Sequence, residues 1–432
     1  MNRKQFVTAL ACAILMAAFL SGCSGTVQTI ERTADASGQL PKTPADALIE
    51  AARRSVKEHP DQAKSHITLA AAYLQKVRET GDYTINRTAE TSITRARELE
   101  PENFSADILE IQIMLSEHRF SEALALADTL EKDHPDNTLV LAAKTDALTE
   151  LGDYGEAVEA AQKFVDARPN AASYARVAHL RSIYGKTESA IEARKLAVKM
   201  ADPKDKETYA WYLSRLGNEY LISGRTDDAA LAFDKALDVL PEYHWALAGR
   251  GKVLAARGDL AGAAAIYEKI VRRVPETTRE LYLGDIYTAL GQMEKARGMY
   301  AAAVKREIGR PGGDLHRIAL FWADHGINLD RAAEIARKDL ESHKDLVASD
   351  TYAWILFKQG SFSAARAQMK DAMRLGSRNA LFFYHLGMIE NALGNRQAAI
   401  ANFRRALDTQ PSFDLVQAPI ARTTLDRLTA GN

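Results

Sequence analysis

The chain has 432 residues, 47% of them apolar and 26% charged. That is enough to bury a large core and excludes wholesale disorder. Its 56 Lys and Arg balance 57 Asp and Glu, so no basic stripe points to nucleic acid or to an anionic lipid surface.

Residues 1–22 place Arg3 and Lys4 ahead of the apolar run Phe6 to Leu20, the order of an export signal. The run is short for a membrane-spanning helix, which needs about 20 apolar residues. It leads into Leu20-Ser21-Gly22-Cys23, which resembles the lipobox of bacterial lipoprotein signals. The resemblance implies that Cys23 becomes the first residue after cleavage and carries acyl chains on its sulfur and amine. An ordinary secretory leader and an uncleaved anchor are the alternatives. Several acyl chains, at about 0.8 kcal/mol per buried CH₂, make an essentially permanent anchor. Ser24, where lipoproteins kept at the inner membrane typically have Asp, implies an outer-membrane address in a Gram-negative host. Cys12 leaves with the leader and Cys23 is lipidated, so the remaining chain has no disulfide to hold it.

Residues 24–44 are rich in Ser, Thr, Gly and Pro and lack helical periodicity, as a tether would. Extended, they reach at most roughly 70 Å. Ala45 to His59 then reads as a capping helix, with Leu48, Ile49, Ala52 and Val56 on one side and a stop at Pro60. A first helix pair follows, with Leu69, Ala70 and Tyr73 on one helix and Ala89, Ile93 and Ala96 on the next. The stretch Val77 to Thr88 between them predicts an extended inter-helix loop.

From here three registers keep one period. Pro101, Pro135, Pro169 and Pro203 stand 34 residues apart, followed by Pro241 and Pro275. The longer step before Pro241 predicts a longer connection around Lys204 to Lys206. Turn glycines recur at Gly152, Gly185, Gly224, Gly258, Gly291, Gly326, Gly360 and Gly394. Alanines recur on the second helix of each pair, from Ala123 and Ala157 to Ala365 and Ala399.

The stretch Leu213 to Pro241 displays one unit in full. Leu213, Leu216, Gly217 and Tyr220 lie on helix A, Gly224 at the turn, Ala229, Phe233 and Ala236 on helix B, and Pro241 at the end. This pattern resembles the tetratricopeptide (TPR) repeat, a 34-residue helix–turn–helix unit. The resemblance implies an all-α fold: a right-handed superhelical α-solenoid of about ten TPR units with capping helices. The division it suggests is 1–22 signal peptide, 23–44 lipidated cysteine and tether, and 45–60 N-terminal cap. Repeats one to seven then occupy 61–309, repeats eight to ten 310–411, and a C-terminal cap and tail 412–432. Gly309-Arg310-Pro311-Gly312-Gly313 breaks the array between repeats seven and eight, as a hinge or as a longer loop on a continuous solenoid.

Catalytic signatures are missing: there is no HExxH, CxxC, GxSxG or GxGxxG. Gly185-Lys186-Thr187 ends like a P-loop but falls on a repeat turn. Gly249-Arg250-Gly251-Lys252 falls mid-helix, where backbone N–H groups are already bonded. His316 and His325, nine apart on one helix, face opposite ways and make no metal site. The sequence is read as a non-enzyme without cofactor or metal.

The TPR resemblance places binding on the concave, helix A side. The candidates it nominates are Arg176, His179, Trp211, Arg215, Asn218, Trp245, Lys252 and Asp285, with Ser214 and Thr288 at equivalent positions. Trp211 and Trp245 hold matching places one repeat apart, either as partner anchors or as packing against the next unit. Asn218 sits where some TPR domains hold a peptide's terminal carboxylate, but Ser214 replaces the lysine such a clamp uses. The aromatics Tyr352, Trp354, Phe357, Phe382, Phe383 and Tyr384 have core spacing.

The function implied is a lipid-anchored TPR scaffold binding protein partners at the bacterial cell envelope, with its repeats in the periplasm. The C-terminal half (Asp350 to Gly394) resembles TPR proteins of exopolysaccharide production, which implies a role in assembling an export machine. The alternatives are a glycan-binding accessory of polysaccharide secretion and a structural spacer without a ligand.

Overall fold

The computed structural model describes residues 43–308 and 315–430. The leader, Cys23, most of the tether, the 309–313 break and the last two residues lie outside the described residues. Within them stand 22 α-helices, one 3₁₀ turn and no strand, and the chain forms an α-solenoid of antiparallel helix pairs.

The first helix, Pro44–Glu58, starts on a proline whose fixed φ suits that position, while Asp46 accepts a hydrogen bond from the Thr43 N–H at 2.5 Å. Repeats one to three pair Ala63–Thr80 with Asn86–Leu99, Phe104–Ser116 with Phe120–Asp133, and Thr138–Leu151 with Tyr154–Ala167. Repeats four to six pair Ala171–Ile183 with Thr187–Met200, Lys206–Ile222 with Thr226–Val239, and His244–Ala256 with Leu260–Arg273. Repeats seven and eight pair Thr277–Ala289 with Met293–Ile308 and Leu315–His325 with Leu329–Ser342. Repeats nine and ten pair Leu346–Lys358 with Phe362–Ala372 and Ala380–Ala392 with Arg396–Thr409. Gln417–Ala430 closes the array.

Each pair is held by a small residue against a large one. The helix B alanines Ala123, Ala157, Ala190, Ala229, Ala263, Ala332, Ala365 and Ala399 are wholly buried. Glycines on helix A face an aromatic ring on helix B. A Cβ on Gly217 would lie 2.8 Å from Phe233, one on Gly251 2.6 Å from Tyr267, and one on Gly284 2.3 Å from Tyr300. Nothing larger than hydrogen fits there. The turn glycines adopt positive φ, the left-handed conformation that ends a helix cheaply only without a Cβ. Repeat two puts His118 there instead, at φ 60°.

Two connections differ from expectation. The extra residues of repeat one make no extended loop: helix A runs 18 residues to Thr80, and Tyr83–Ile85 form a 3₁₀ turn. Leu74 and Val77 are buried, so the apolar stripe carries the helix on. The insertion before Pro241 likewise lengthens helix A of repeat five to 17 residues.

The coil also closes on itself. Lys344 N–H donates to the Leu151 carbonyl (2.9 Å) and Leu346 N–H to the Tyr154 hydroxyl (3.0 Å). Gln410 Nε2 donates to the Leu221 carbonyl at 3.1 Å. At the N-terminal end Arg78 Nε meets Glu207 Oε2 at 3.2 Å, and His244 Nε2 meets the Arg78 carbonyl at 2.9 Å. Residues four to six repeats apart therefore touch along a seam between successive turns.

Candidate protein-binding site

Helix A residues of repeats four to eight project toward the inside of the coil, and electrostatics there divides into a basic and an acidic zone. The basic zone begins in repeat four. At Arg194 a charge stands in the register that Phe233 holds in repeat five. Arg194 is 3% exposed, as is its partner Glu219 in the next repeat, and their closest approach is 3.4 Å. Arg194 Nη1 also donates to the Ala175 carbonyl at 3.0 Å. Burial, then Arg215, pushes the Arg194 pKa down to about 10.

Among the eight nominated residues, Arg176 is a tie between repeats. It bridges Asp146, the Ala142 carbonyl and the Ala172 carbonyl, and lies over Phe164. His179 is pushed down to about 3 by burial and by Arg215 and Arg194, so it is neutral at ordinary pH. Arg215 sits 5.8 Å from the Trp211 ring centre, its Nε buried without a hydrogen-bond partner. Burial lowers its pKa, opposed by Glu219 and Glu150.

Trp211 and Trp245 diverge despite equivalent positions. Trp211 packs edge-on against Tyr212 at 5.0 Å and against two hydrophobic clusters. Trp245 is 42% exposed, with only one face near His244. Asn218 is half-buried, but Ser214 turns into its own helix and donates to the Ala210 carbonyl at 2.7 Å. The clamp arrangement is therefore not assembled here. Thr288 likewise bonds the Gly284 carbonyl, at 2.9 Å.

Lys252 keeps contact with water yet stands inside the coil, 5.7 Å from the Tyr282 ring centre. Surrounding protein, then Arg317 of repeat eight, lowers its pKa. Neither Arg215 nor Lys252 forms a salt bridge among the described residues. Lys76 and Arg78, by contrast, are paired with Asp46 and Glu207.

Asp285 belongs to the acidic zone. Burial, then the nearby Asp414, pushes it up to about 7, and Tyr300 donates to it at 2.8 Å. Asp324 is pushed up to about 6 by burial and accepts from Trp354 Nε1 (2.8 Å) and Gln417 Nε2 (2.9 Å). Asp324, Asp414 and Arg317 escaped the sequence reading because repeat eight and the C-terminal cap reach this zone only through the curvature of the coil. The aromatic-rich C-terminal repeats are core as expected: Trp354, Phe382, Phe383 and Tyr384 are buried. Among the described residues no group of His, Cys, Asp and Glu is placed to hold a metal ion, and no helix is long and apolar enough to cross a membrane.

A family model described as "Tetratricopeptide repeat" matches residues 115–172, 214–276 and 353–412. These stretches span repeats two to three, five to six and nine to ten, so tetratricopeptide repeats are present along the array. Comparison with curated proteins finds no match. Among solved structures, the chain is similar to the APC/C hetero-tetramer Cut9–Hcn1 at 14% identity, covering 89% of this chain and 82% of that one, with TM-score 0.45. It is also similar to the human IFIT1 dimer with PPP-AAAA, at 16% identity over 84% and 87% of the two chains, TM-score 0.48. A shorter similarity, to MamA, has 21% identity over 37% of this chain and 91% of that one, TM-score 0.30.

Proposed function

We propose that this tetratricopeptide solenoid is a scaffold that grips an acidic, extended segment of a protein partner along the inside of repeats four to six. The observation that supports it is the pair of inward cations, Arg215 and Lys252, that lack an ion-pair partner. A half-buried cation such as Arg215 without a direct salt bridge is costly, and a partner carboxylate relieves that cost while Lys252 offers an accessible second charge. Trp245, two turns before Lys252 on the same helix and accessible, supplies an aromatic anchor of the kind that dominates protein interfaces. Nothing in this arrangement calls for catalysis, so the reading is of binding and not of turnover.

In the same proposal, acyl chains on Cys23 hold the scaffold at the cell envelope, at the outer membrane if the host is Gram-negative. There it assists an export or assembly machine, with exopolysaccharide secretion the system its C-terminal half resembles. These finer points rest on the Leu20-Ser21-Gly22-Cys23 motif and on the repeat pattern.

Photo-cross-linking in cells from position 245, followed by mass spectrometry, tests the site. Capture of defined proteins that disappears in a Trp245→Ala, Lys252→Glu variant of unchanged melting temperature supports it. Capture that persists in that variant moves the site elsewhere. Membrane fractionation of Cys23→Ala tests the anchor separately: release into the soluble fraction is expected, and unchanged membrane association would refute lipidation at this residue.

A further inference from the structure

A cavity of about 170 Å³ lies at the N-terminal seam, between the first helix and repeats five to seven. Leu240, Leu247, Ile270 and Val274 give it apolar walls, and Arg279 lines it as well. Arg279 is only 7% exposed, and its Nη1 has no hydrogen-bond partner.

The orientation of that guanidinium is built. His244 Nε2 lies 2.9 Å from the Arg78 carbonyl, which can only accept, so the imidazole proton sits on Nε2. Burial and the nearby Arg279 hold His244 well below its ordinary pKa, which keeps the ring neutral. Its Nδ1 is then an acceptor, and Arg279 Nη2 donates to it at 2.6 Å. Arg279 Nε faces Glu276 at 3.7 Å. Gly81 permits the approach, since a Cβ there would sit 2.8 Å from Nη2. Two of the three guanidinium nitrogens are thus committed, and the third, Nη1, is buried without an acceptor on a residue that lines an apolar cavity.

The other charged groups lining the cavity are engaged. Glu79 accepts from the Ala45 N–H and from Gln75, while Glu242 pairs with Lys269 and Arg273. The unmet need is therefore a single acceptor next to aliphatic side chains. An engineered apolar cavity of about 150 Å³ takes up benzene, so this one has room for an apolar stem of about five or six carbons beside the Arg279 guanidinium.

We infer that this cavity is a binding site for a small monocarboxylate with an apolar stem, its carboxylate on Arg279 and its stem against Leu247, Ile270 and Val274. A charge-assisted bond to guanidinium selects a carboxylate over an alcohol or an amide. The same end group occurs on a free short-chain acid and on the last residue of a peptide, and one assay separates them. Because the cavity has walls from residues far apart in sequence, it exists only while the seam is closed. Occupancy therefore stabilises the seam.

Calorimetric titration of the purified full chain with hexanoate, hexanamide and hexan-1-ol tests the chemistry, and N-acetyl-leucine against its amide tests the peptide source. Saturable binding of hexanoate is expected, with amide and alcohol weaker by about tenfold or more. Bound hexanoate should also slow hydrogen exchange at Arg78 to Gly81. Arg279→Met removes the donor, and Leu247→Phe fills the cavity while leaving every polar contact in place. Each should abolish binding, and Leu247→Phe keeps the test decisive if Arg279→Met does not fold. N-acetyl-leucine binding more tightly than hexanoate assigns the site to a peptide end, and the reverse order assigns it to a free acid. Absence of saturable binding by any probe leaves only water in the cavity and overturns the inference. So does equal binding of hexan-1-ol, or binding unaltered in Leu247→Phe.

Discussion

The inside of a repeat and the seam between turns are held together by different patterns of contact. Within repeat five, Phe233 fills the space over Gly217 and also reaches Gly249 of repeat six. The same sixteen-residue offset joins Gly251 to Tyr267, Gly284 to Tyr300 and Gly387 to Phe403. These contacts are apolar, local and periodic. The seam instead joins residues 151 and 344, 154 and 346, and 221 and 410 through hydrogen bonds that each use at least one backbone group. It also buries a patch in which Tyr154, Ile183 and Tyr184 meet Leu346 and Phe382, but it lacks the repeated glycine-to-ring contacts of the array, so it is expected to open first, with the repeats still folded.

The largest effect should come where a repeat departs from the apolar rule. In repeat four the offset joins Ala178 to Arg194, whose charge is met by Glu219. Arg194→Met leaves Glu219 buried without a partner and should cost about 3–5 kcal/mol in urea unfolding. Adding Glu219→Leu removes the stranded charge, and most of the stability should return. If Arg194→Met alone is neutral, the pair is not what closes repeat four.

Next in size is a test that isolates the seam. Gly152 and Gly258 both end a helix A at positive φ, 84° and 86°. A Cβ on Gly152 would lie 2.4 Å from the Lys344 carbonyl carbon, whereas one on Gly258 meets nothing. Alanine at either carries the left-handed penalty of about 1–2 kcal/mol, and Gly152→Ala adds about 1–3 kcal/mol of overpacking. Hydrogen exchange at the Lys344 and Leu346 amides should accelerate in Gly152→Ala and not in Gly258→Ala. Equal exchange in the two variants would mean that the seam contributes nothing.

This contrast explains what could be read from the sequence. Proline, glycine and alanine registers report packing between helices about 34 residues apart, so ten helix pairs were visible in them. Helix length was less visible, because Val77 or Lys206 extends a helix as readily as it opens a loop. The seam was invisible: Gly152 looks like any other turn glycine, and nothing near it signals that residue 344 lies against it. The interior site suffered in proportion. Lys252, His179 and Asp285 could be nominated from repeat position, but Arg317, Asp324 and Asp414 could not, since they arrive from other parts of the coil. Position also gave Trp211 and Trp245 the same reading, and only the packing of their neighbours separates them.

The smallest expected effect is a pH dependence of the seam. Glu150 is pushed up to about 7 by burial and by Asp345 and Asp146, with Arg215 and His343 opposing. Asp345, next to the Lys344 amide, is also raised by burial. His343 is raised by its bond to Asp339, at 2.8 Å. A carboxylate raised above its unfolded value favours the folded state while protonated, and this advantage fades as pH climbs through the folded pKa. A raised histidine acts in the same direction, because its pair with Asp339 is complete only below that pKa. Glu150 and His343 therefore tighten the seam near pH 5.5 and loosen it by pH 8, and Asp345 contributes in the same direction. His179, pushed down to about 3, works the other way on the nearby core, where acid below pH 6.5 is unfavourable. The seam is read apart from that core through protection factors at Lys344 and Leu346, corrected for intrinsic exchange at each pH. Protection should fall from pH 5.5 to pH 8 by no more than about 1 kcal/mol, the range of accessible charge interactions. Glu150→Gln should flatten the change, and a slope of the opposite sign in the unaltered chain would show that these raised groups do not govern the seam.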